Sequence, residues 1–266
     1  MNSVIDVSWL QLAMFSLTLL IPVAMSVQYR LMIGKDIFIS VLRMGIQLGL
    51  VGIYLEYLFA LNSLVINTCW LLVIISVGAS SILSKAKLPK TRLLIPLMAG
   101  LTIGLLPILV ILCVFIVQPV PFYNTQYMIP LAGMLMGNTL SGNIVALQNL
   151  FTAYQERKSE YEAALSLGAS PRYASRPFIQ NAIQKANAPI LASMATIGLV
   201  TLPGMMTGQI LGGSSPLIAI KYQFMIMVAI LVVLNISLAL SIEYILKAAL
   251  TKEGKVLVQF RKNGNS

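Results

Sequence analysis

The chain has 266 residues, of which 58% are hydrophobic and 10% charged, and its mean hydropathy is +0.87. Globular domains carry about 25% charged residues, so this composition excludes a soluble enzyme, a disordered chain and a disulfide scaffold. It predicts an all-α polytopic membrane protein, in which each spanning helix needs roughly 20 apolar residues. The net charge of +10 is also compatible with nucleic-acid binding, so the positions of the bases must decide.

The apolar sequence divides into seven stretches that are long enough to cross a bilayer. In chain order they cover about 7–27, 37–60, 64–84, 93–117, 127–150, 188–211 and 217–246. Leu61–Ser63 separates the second stretch from the third, which predicts a tight helical hairpin. No base precedes the first stretch and no A-x-A site follows it, so we expect a retained helix rather than a signal peptide.

The 18 bases are concentrated on one side of these stretches. All but two lie in the connections after the first, third and fifth stretches or in the C-terminal tail, the exceptions being Lys221 and Arg43. The positive-inside rule then predicts seven transmembrane helices with the N-terminus outside and the C-terminus in the cytoplasm. The bases therefore mark membrane topology, and we expect no nucleic-acid partner.

We expect one membrane domain over residues 1–266, in a multi-pass protein of the plasma membrane. Two longer cytoplasmic pieces belong to it, a segment at 151–187 and a basic tail at 247–266. The tail has the composition of a segment that contacts anionic lipid headgroups.

Small residues and prolines predict how the spans pack. Close helix contact in lipid relies on G-x-x-x-G pairs, which favour packing within one bundle here and leave some faces available to a homodimer. These pairs are Gly45/Gly49, Gly100/Gly104, Gly133/Gly137, Gly204/Gly208 and Gly208/Gly212. Pro203-Gly204 inside the sixth span predicts a broken helix, whose freed carbonyls either line a cavity or are satisfied by neighbouring helices.

Polar residues within the spans are the candidates for a translocation path or gate. Arg43 and Gln47 share one face of the second span, although Arg43 could also snorkel to the cytoplasmic surface. The fifth span is interpreted as polar along one side, through Asn138, Ser141, Asn143 and Gln148. Methionines are further candidates, because thioethers bind soft cations, although they more often fill cores. The remaining candidates are these methionines and the residues at the break: Met134, Met205, Met206, Pro203, Gly204 and Gly208.

Other membrane functions find little support in the residues. The chain has no His and no carboxylate in mid-span, which argues against intramembrane protease chemistry and against a high-affinity transition-metal site, so the metal ligands stay unknown. A seven-helix receptor fits the topology. A retinal protein does not fit, because a retinal Schiff base needs a lysine buried within the last span. The nearby lysines, Lys221 and Lys247, lie at the ends of that span.

The cytoplasmic segment reads as a short helix that ends in a glycine. Charged helix formers lead into Glu162–Leu167, Gly168 has the place of a C-cap glycine, and Pro171 prevents simple continuation. Such a helix can insert into a groove of a soluble partner or lie on the lipid surface. The carboxylates Glu156, Glu160 and Glu162 favour a protein partner over an anionic membrane.

This segment resembles the E-A-A-x-x-x-G loop of ATP-binding-cassette (ABC) permeases. More specifically, the chain resembles the FetB-like permeases, which are bacterial iron exporters related to plant aluminium-tolerance membrane proteins. The residues that carry this likeness are Arg43 with Ile46–Leu48, Ile129–Met134 with Gly137 and Asn138, Leu165–Ala169, Gly198–Val200, Leu202–Met206 with Gly208, and Pro216 with Ala219–Gln223.

The resemblance implies a membrane subunit of an ABC transporter that exports a metal such as iron, with a non-metal cargo as the alternative. The chain has no G-x-x-x-x-G-K-[ST] motif, so ATP and magnesium would be bound by a separate ATPase subunit and no cofactor by this chain. Two permeases and two ATPases are the assembly that the resemblance implies. The residues implied to couple to the ATPase are Glu160, Glu162, Ala163, Ala164, Leu165, Gly168 and Ala169.

Overall fold

The structure, a computed structural model, describes residues 7–31, 33–251 and 254–257. Nine helices lie within this part of the chain, where backbone bridges are isolated ones and no strand is formed. The all-α prediction is confirmed. The helices are α1 (Trp9–Gln28, with a 3₁₀ turn at Leu17–Leu19), α2 (Gly34–Leu61), α3 (Leu64–Lys85), α4 (Lys90–Ile111, continued by a π-helical turn at Leu112–Val117), α5 (Thr125–Glu156), α6 (Lys158–Ser166), α7 (Pro171–Thr196), α8 (Gly204–Leu211) and α9 (Pro216–Ala249).

Five of these helices are long and apolar enough to cross a membrane, namely α1, α2, α3, α9 and α4 with its π-helical continuation. They match five of the predicted spans, and the hairpin between α2 and α3 is as expected. The predicted span 127–150 lies within α5, which is longer and whose amide and hydroxyl side chains lower its hydropathy. The count of seven spans therefore stays a prediction for α5 and for the region of α7 and α8.

The helix in the region of the predicted sixth span, 188–211, has different bounds from those expected. The helix begins much earlier, at Pro171, where Ser170 caps it by accepting a hydrogen bond from the Tyr173 backbone N–H. It continues through Pro189 and ends at Thr196, and α8 begins only at Gly204. The predicted break is confirmed, but it occupies residues 197–203 rather than the Pro-Gly pair alone.

The bundle is built around α9, which packs along α4 and also contacts α5, α7 and α8. The α4–α9 approach depends on one glycine pair, since a Cβ at Gly100 would lie 2.7 Å from the Ser241 backbone N and one at Gly104 would lie 3.0 Å from the Ser237 backbone N. The prediction that this G-x-x-x-G pair packs inside one bundle is confirmed. The pairs Gly45/Gly49 and Gly133/Gly137 differ, because no described atom lies within 4 Å of their Cβ positions.

The first two helices lie apart from this bundle. In the most apolar 18-residue window of α2, no residue is buried, and in that of α1 only 6% of the residues are buried. The outer end of α2 is held by Asn62, whose Oδ1 accepts hydrogen bonds from the Thr125 backbone N–H and hydroxyl, both at 3.1 Å. The beginning of α5 is thereby joined to the α2–α3 turn.

Basic segments gather at the opposite end of the bundle. The Gln148 amide donates to the Lys85 carbonyl at 2.9 Å, which joins the inner ends of α5 and α3. Arg172 at the start of α7 pairs with Glu243 of α9 at 3.0 Å, and Lys247 pairs with the same carboxylate at 3.3 Å. The predicted topology requires the basic segments to lie at one end of the bundle, and they do.

Candidate functional site

A groove on the surface of the bundle joins two cavities of about 340 and 160 Å³. The cavities share residues from α5, α7 and α9, and the larger one extends to the break before α8. We call this feature the groove; it is lined by Met134, Asn138, Ser141, Ile190, Ser193, Ile197, Thr201, Pro203, Met205, Gln223, Ile226, Met227 and Ile230, among others.

The break that closes one end of the groove is a compact turn. The Thr196 carbonyl accepts hydrogen bonds from the backbone N–H groups of Val200 at 3.0 Å and Leu199 at 3.3 Å, and Gly198 adopts a φ of +84°. Only glycine takes that conformation without steric cost, which explains the glycine one residue after Ile197. Pro203 then stands before α8, where its carbonyl accepts from the Thr207 backbone N–H at 3.0 Å.

Gln223 is the most unusual polar group of the groove. Its side chain on α9 is 6% exposed, and its Oε1 atom finds no hydrogen-bond partner among the described residues. A buried carbonyl oxygen without a partner costs about 1–3 kcal/mol, so this oxygen is an acceptor available to a bound group. Sequence reasoning placed Gln223 in the last block of family-like residues but did not predict it as a site residue.

Some predicted path residues do meet in the groove. Met134, Asn138, Pro203 and Met205 line the larger cavity, and Ser141 lines the smaller one. Sequence reasoning missed the contributions of α7 and α9, including Ser193 and Met227 among others, because their approach to α5 depends on tertiary packing.

Other predicted path residues lie elsewhere. Arg43 and Gln47 are exposed on α2 and line neither cavity. Met206 is buried on the inner side of α8 and does not line the groove. Gly204 and Gly208 of the same helix do not line it either.

The prediction of one polar side along α5 is wrong. Asn143 points into the bundle, where its Nδ2 donates to the Ser237 hydroxyl at 3.1 Å. Asn138 and Asn143 are five residues apart, which turns their side chains about 140° from each other on a helix. Gln148 supports the contact with α3 described above, so Asn138 and Ser141 alone of this set reach the groove.

No metal centre is evident from the donor residues. Within residues 7–31, 33–251 and 254–257 no group of three or more His, Cys, Asp or Glu is close enough to hold a metal ion. The groove instead offers thioethers of Met134, Met205 and Met227 and amide groups of Asn138 and Gln223. This neutral set is weaker than carboxylate or imidazole for hard or borderline cations, and its thioethers suit soft ones.

The helix α6 has the predicted C-terminus. Gly168 adopts a φ of +88° and its N–H donates to the Leu165 carbonyl at 2.9 Å, while the Ala169 N–H donates to the Ala164 carbonyl at 3.0 Å. These two bonds form a Schellman motif, so the C-cap prediction for Gly168 is confirmed.

One face of α6 is turned towards the bundle and the other is free of it. Tyr161, Ala164 and Leu165 pack inward, as does Ala169 after the glycine. Glu160, Glu162, Ala163 and Gly168 are exposed, together with Leu167, which is 89% exposed. Both carboxylates are paired with bases a turn earlier in the chain, Glu160 with Arg157 at 2.5 Å and Glu162 with Lys158 at 3.5 Å.

An aromatic cluster anchors α6 to the ends of α5 and α7. The ring of Tyr154 packs edge-on against those of Tyr161 and Phe178 at centroid distances of 5.2 and 5.3 Å. The Tyr154 hydroxyl donates to the Ser175 hydroxyl at 2.5 Å, and the Arg157 guanidinium lies 4.9 Å from the Phe178 ring centroid. These residues therefore link the three helices α5, α6 and α7 to one another.

The described part of the C-terminal tail packs against α6. Thr251 and Lys255 close a turn by a backbone hydrogen bond of 3.0 Å, and the Tyr161 hydroxyl donates to the Gly254 carbonyl at 3.0 Å. A Cβ at Gly254 would lie 2.8 Å from Leu165 Cδ1. The described portion of the tail thus contacts protein; the predicted contact of the tail with lipid headgroups stays a prediction, and the tail bases Lys252, Arg261 and Lys262 lie outside the described residues.

Fold and groove together define an all-α polytopic membrane protein with a surface groove beside a broken helix. The chain belongs to the uncharacterised protein family UPF0014, which it matches over residues 9–250. It is 34% identical to Protein ALUMINUM SENSITIVE 3 of Arabidopsis thaliana over 78% of this chain and 75% of that one. It is 33% identical to the Probable iron export permease protein FetB of Escherichia coli K12, over 81% and 82%.

A cyanobacterial relative is similar over a shorter region. The UPF0014 membrane protein slr1647 of Synechocystis is 36% identical over 72% of this chain and 74% of its own. No solved structure matches the chain. The family resemblance expected from the sequence blocks is therefore confirmed, and the membrane character of the chain agrees with the names of these relatives.

Proposed function

We propose that the chain is the membrane subunit of an ABC exporter in the plasma membrane, with a separate ATPase subunit docked on the exposed face of α6. The observation that carries this proposal is the construction of α6 itself. It is a short helix at the basic end of the bundle, capped by Gly168, bound tightly inward through Tyr161 and presenting Glu162, Ala163 and Leu167 outward.

The geometry suggests how ATP hydrolysis on the partner would move cargo. A push on α6 reaches α7 through the Tyr161 ring, which packs against Phe178 of α7 directly and against Tyr154 of α5. The helix α7 runs without interruption from Pro171 to Thr196 and ends at the break that borders the groove. A continuous helix of 26 residues, about 39 Å long, connects the cytoplasmic end to that break and would carry the displacement.

A docking assay tests the coupling role. The Glu162→Arg, Gly168→Pro variant should lose co-purification with the partner ATPase, because the exposed face changes charge and the helix end is distorted. Glu56→Arg makes the same change of charge near the C-terminal end of α2, far from α6 in the chain. This control variant should keep the complex. Unchanged complex formation and unchanged stimulation of ATP hydrolysis by the α6 variant would contradict the docking site.

The proposed cargo is a metal ion such as iron, which rests on the printed name of the Escherichia coli relative and on its similarity to this chain. A second candidate is an ABC permease for a non-metal cargo, favoured by the lining of the groove, which combines aliphatic and amide side chains without a carboxylate among the named residues. Cells with and without the permease and its ATPase should differ in total iron content if the first candidate is correct. Equal iron content with altered export of an organic solute would favour the second.

A further inference from the structure

We propose that the Arg43–Gln47 face of α2 covers the groove of a second copy of this chain, so that both copies contribute walls to each groove. The inference deepens the proposed function, on which it rests in treating the groove as the cargo path. It specifies which surface joins the two copies and which polar residues the second copy adds.

The first observation is that α2 carries polar residues that lipid cannot satisfy. Arg43 and Gln47 lie one helical turn apart and both are exposed, in a helix whose apolar core is 0% buried among the described residues. Arg43 stands nine residues after Gly34, or about 14 Å along the helix axis. A guanidinium that faces lipid at that depth is costly, so a polypeptide cover is favourable.

The second observation is that the groove has complementary needs. Asn138 and Ser141 are exposed on the groove side of α5, where lipid offers their polar atoms no partner. The Arg43 guanidinium and the Gln47 amide supply donors, which match the amide oxygen of Asn138 and the hydroxyl oxygen of Ser141. Gly137 leaves open space beside Asn138 and permits close approach of another helix.

The third observation is that the two surfaces lie at the same depth. The end of α2 and the start of α5 are joined by the hydrogen bonds of Asn62 with Thr125. Gln47 is fourteen residues before Leu61, about 21 Å, and Asn138 is thirteen residues after Thr125, about 20 Å. A two-fold axis along the membrane normal preserves depth, so α2 of one copy meets the groove of the other at matching levels.

A second copy is favoured over the same chain because α2 does not cover its own groove. None of its residues lines either cavity, and its tie to α5 lies at the outer end. The reciprocal arrangement covers both grooves and both arginines in one closed dimer. Lipid in the same place would leave these polar side chains without hydrogen-bond partners.

Cross-linking between two differently tagged chains tests the interface. Both chains carry Cys69→Ser and Cys113→Ala, which remove the two native cysteines. One chain adds Gln47→Cys and the other Ser141→Cys, and membranes are oxidised after co-expression. We expect a covalent dimer that carries both tags, because disulfides form where Cα atoms approach within about 7 Å.

The matched control moves one residue along α2. Leu48→Cys has the same depth as Gln47→Cys but points about 100° around the helix, so the covalent dimer should be lost. A second pair, Leu50→Cys with Met134→Cys, lies at another matched depth on the same faces and should also cross-link. If either member of the first pair fails to accumulate in membranes, this second pair decides the outcome.

Two results would overturn the inference. One is a yield with Gln47→Cys no higher than with Leu48→Cys, in membranes that contain both chains. The other is cross-linking that occurs only when both substitutions are on one chain and that leaves the product at monomer size, which would mean that α2 folds over its own groove. Neither readout involves an ATPase or a metal, so failure of the proposed transport function is distinguished from failure of this interface.

An arginine series gives an independent readout. With the Gln47→Cys and Ser141→Cys pair in place, Arg43→Leu should lower the yield of covalent dimer, and Arg43→Lys should retain part of it because a charge and three donors remain. If Arg43 instead snorkels to the headgroups, Arg43→Leu leaves the yield unchanged, and the proposed role of Arg43 is overturned.

Discussion

Gly168 is the residue on which the end of α6 depends. Its φ of +88° lies in the left-handed region, where a Cβ costs about 1 kcal/mol. We expect Gly168→Ala to weaken the last turn of α6 and to increase hydrogen exchange of the Ala169 amide. Gly49→Ala is the matched control, since that glycine lies inside a helix with no described atom within 4 Å of its Cβ position. Equal exchange in both variants would contradict this account of the helix end.

Tyr161 joins α6 to the C-terminal turn by one hydrogen bond. Tyr161→Phe leaves the Gly254 carbonyl without that donor and should cost about 1 kcal/mol, seen as faster proteolysis within residues 249–257. Tyr173→Phe, at a tyrosine that is 66% exposed, should have no such effect. Proteolysis rates that do not differ between the two variants would show that the hydroxyl is not needed.

The same tyrosine predicts how this contact responds to pH. Burial raises the pKa of the Tyr161 phenol above its ordinary value of 10.0, although the Ser175 hydroxyl acts in the opposite direction. The neutral phenol, which is the donor, is therefore retained on folding. Its contribution to stability is constant below pH 10 and declines above it. We expect the protection of residues 249–257 from proteolysis to be the same at pH 6 and pH 9, and a marked loss between these values would contradict the assignment.

Residue-scale signals in the sequence were informative where they are local. Gly168 was predicted as a cap because a glycine after a helical run and before a proline has one common structural meaning. Tyr161 and Gln223 were not predicted as site residues, since their importance depends on partners distant in the chain. For Tyr161 that partner is Gly254, which is 93 positions away.

At the scale of elements, the contact of α4 with α9 is the most demanding. Gly104→Val would place side-chain carbons against the Ser237 backbone, whose Cα would lie 3.1 Å from the new Cβ. Overpacking of this kind costs about 3 kcal/mol. We expect a lower thermal unfolding midpoint in detergent than for the native chain.

A matched substitution separates packing from helix propensity. Gly133→Val introduces the same side chain in α5 at a glycine with open space around it among the described residues. It should leave the midpoint nearly unchanged. A similar decrease for both variants would mean that β-branching, rather than the α4–α9 approach, governs stability.

The sequence predicted helices and their hairpins well but failed where a helix changes from polar to apolar along its length. Hydropathy begins the sixth span at residue 188, whereas the helix begins at Pro171, because its polar first half is stabilised by packing of Phe178 and Ala182. Pro177 and Pro189 are both accommodated within α7. The break before α8 was predicted from Pro203 and Gly204, but it extends back to residue 197.

For the whole molecule, the most informative pattern is which polar surfaces no other helix of the chain covers. The bundle of α3, α4, α5, α7 and α9 has a continuous buried core, whereas α2 and the groove remain uncovered. Sequence reasoning assigned Arg43 and Asn138 to one path, and the single chain keeps them apart. A second copy brings them together under the proposed interface, a relation that sequence periodicity could not reveal because it concerns two chains.

The central claim is that this chain moves a metal cargo when a separate ATPase acts on α6. The most direct measurement is ATP-dependent iron accumulation in proteoliposomes that contain the chain and its partner ATPase, with the α6 face outward. We predict uptake into the lumen with ATP, and its loss in the Glu162→Arg, Gly168→Pro variant although the protein still inserts. Iron uptake that is the same without ATP, or that the α6 variant retains in full, would contradict the account.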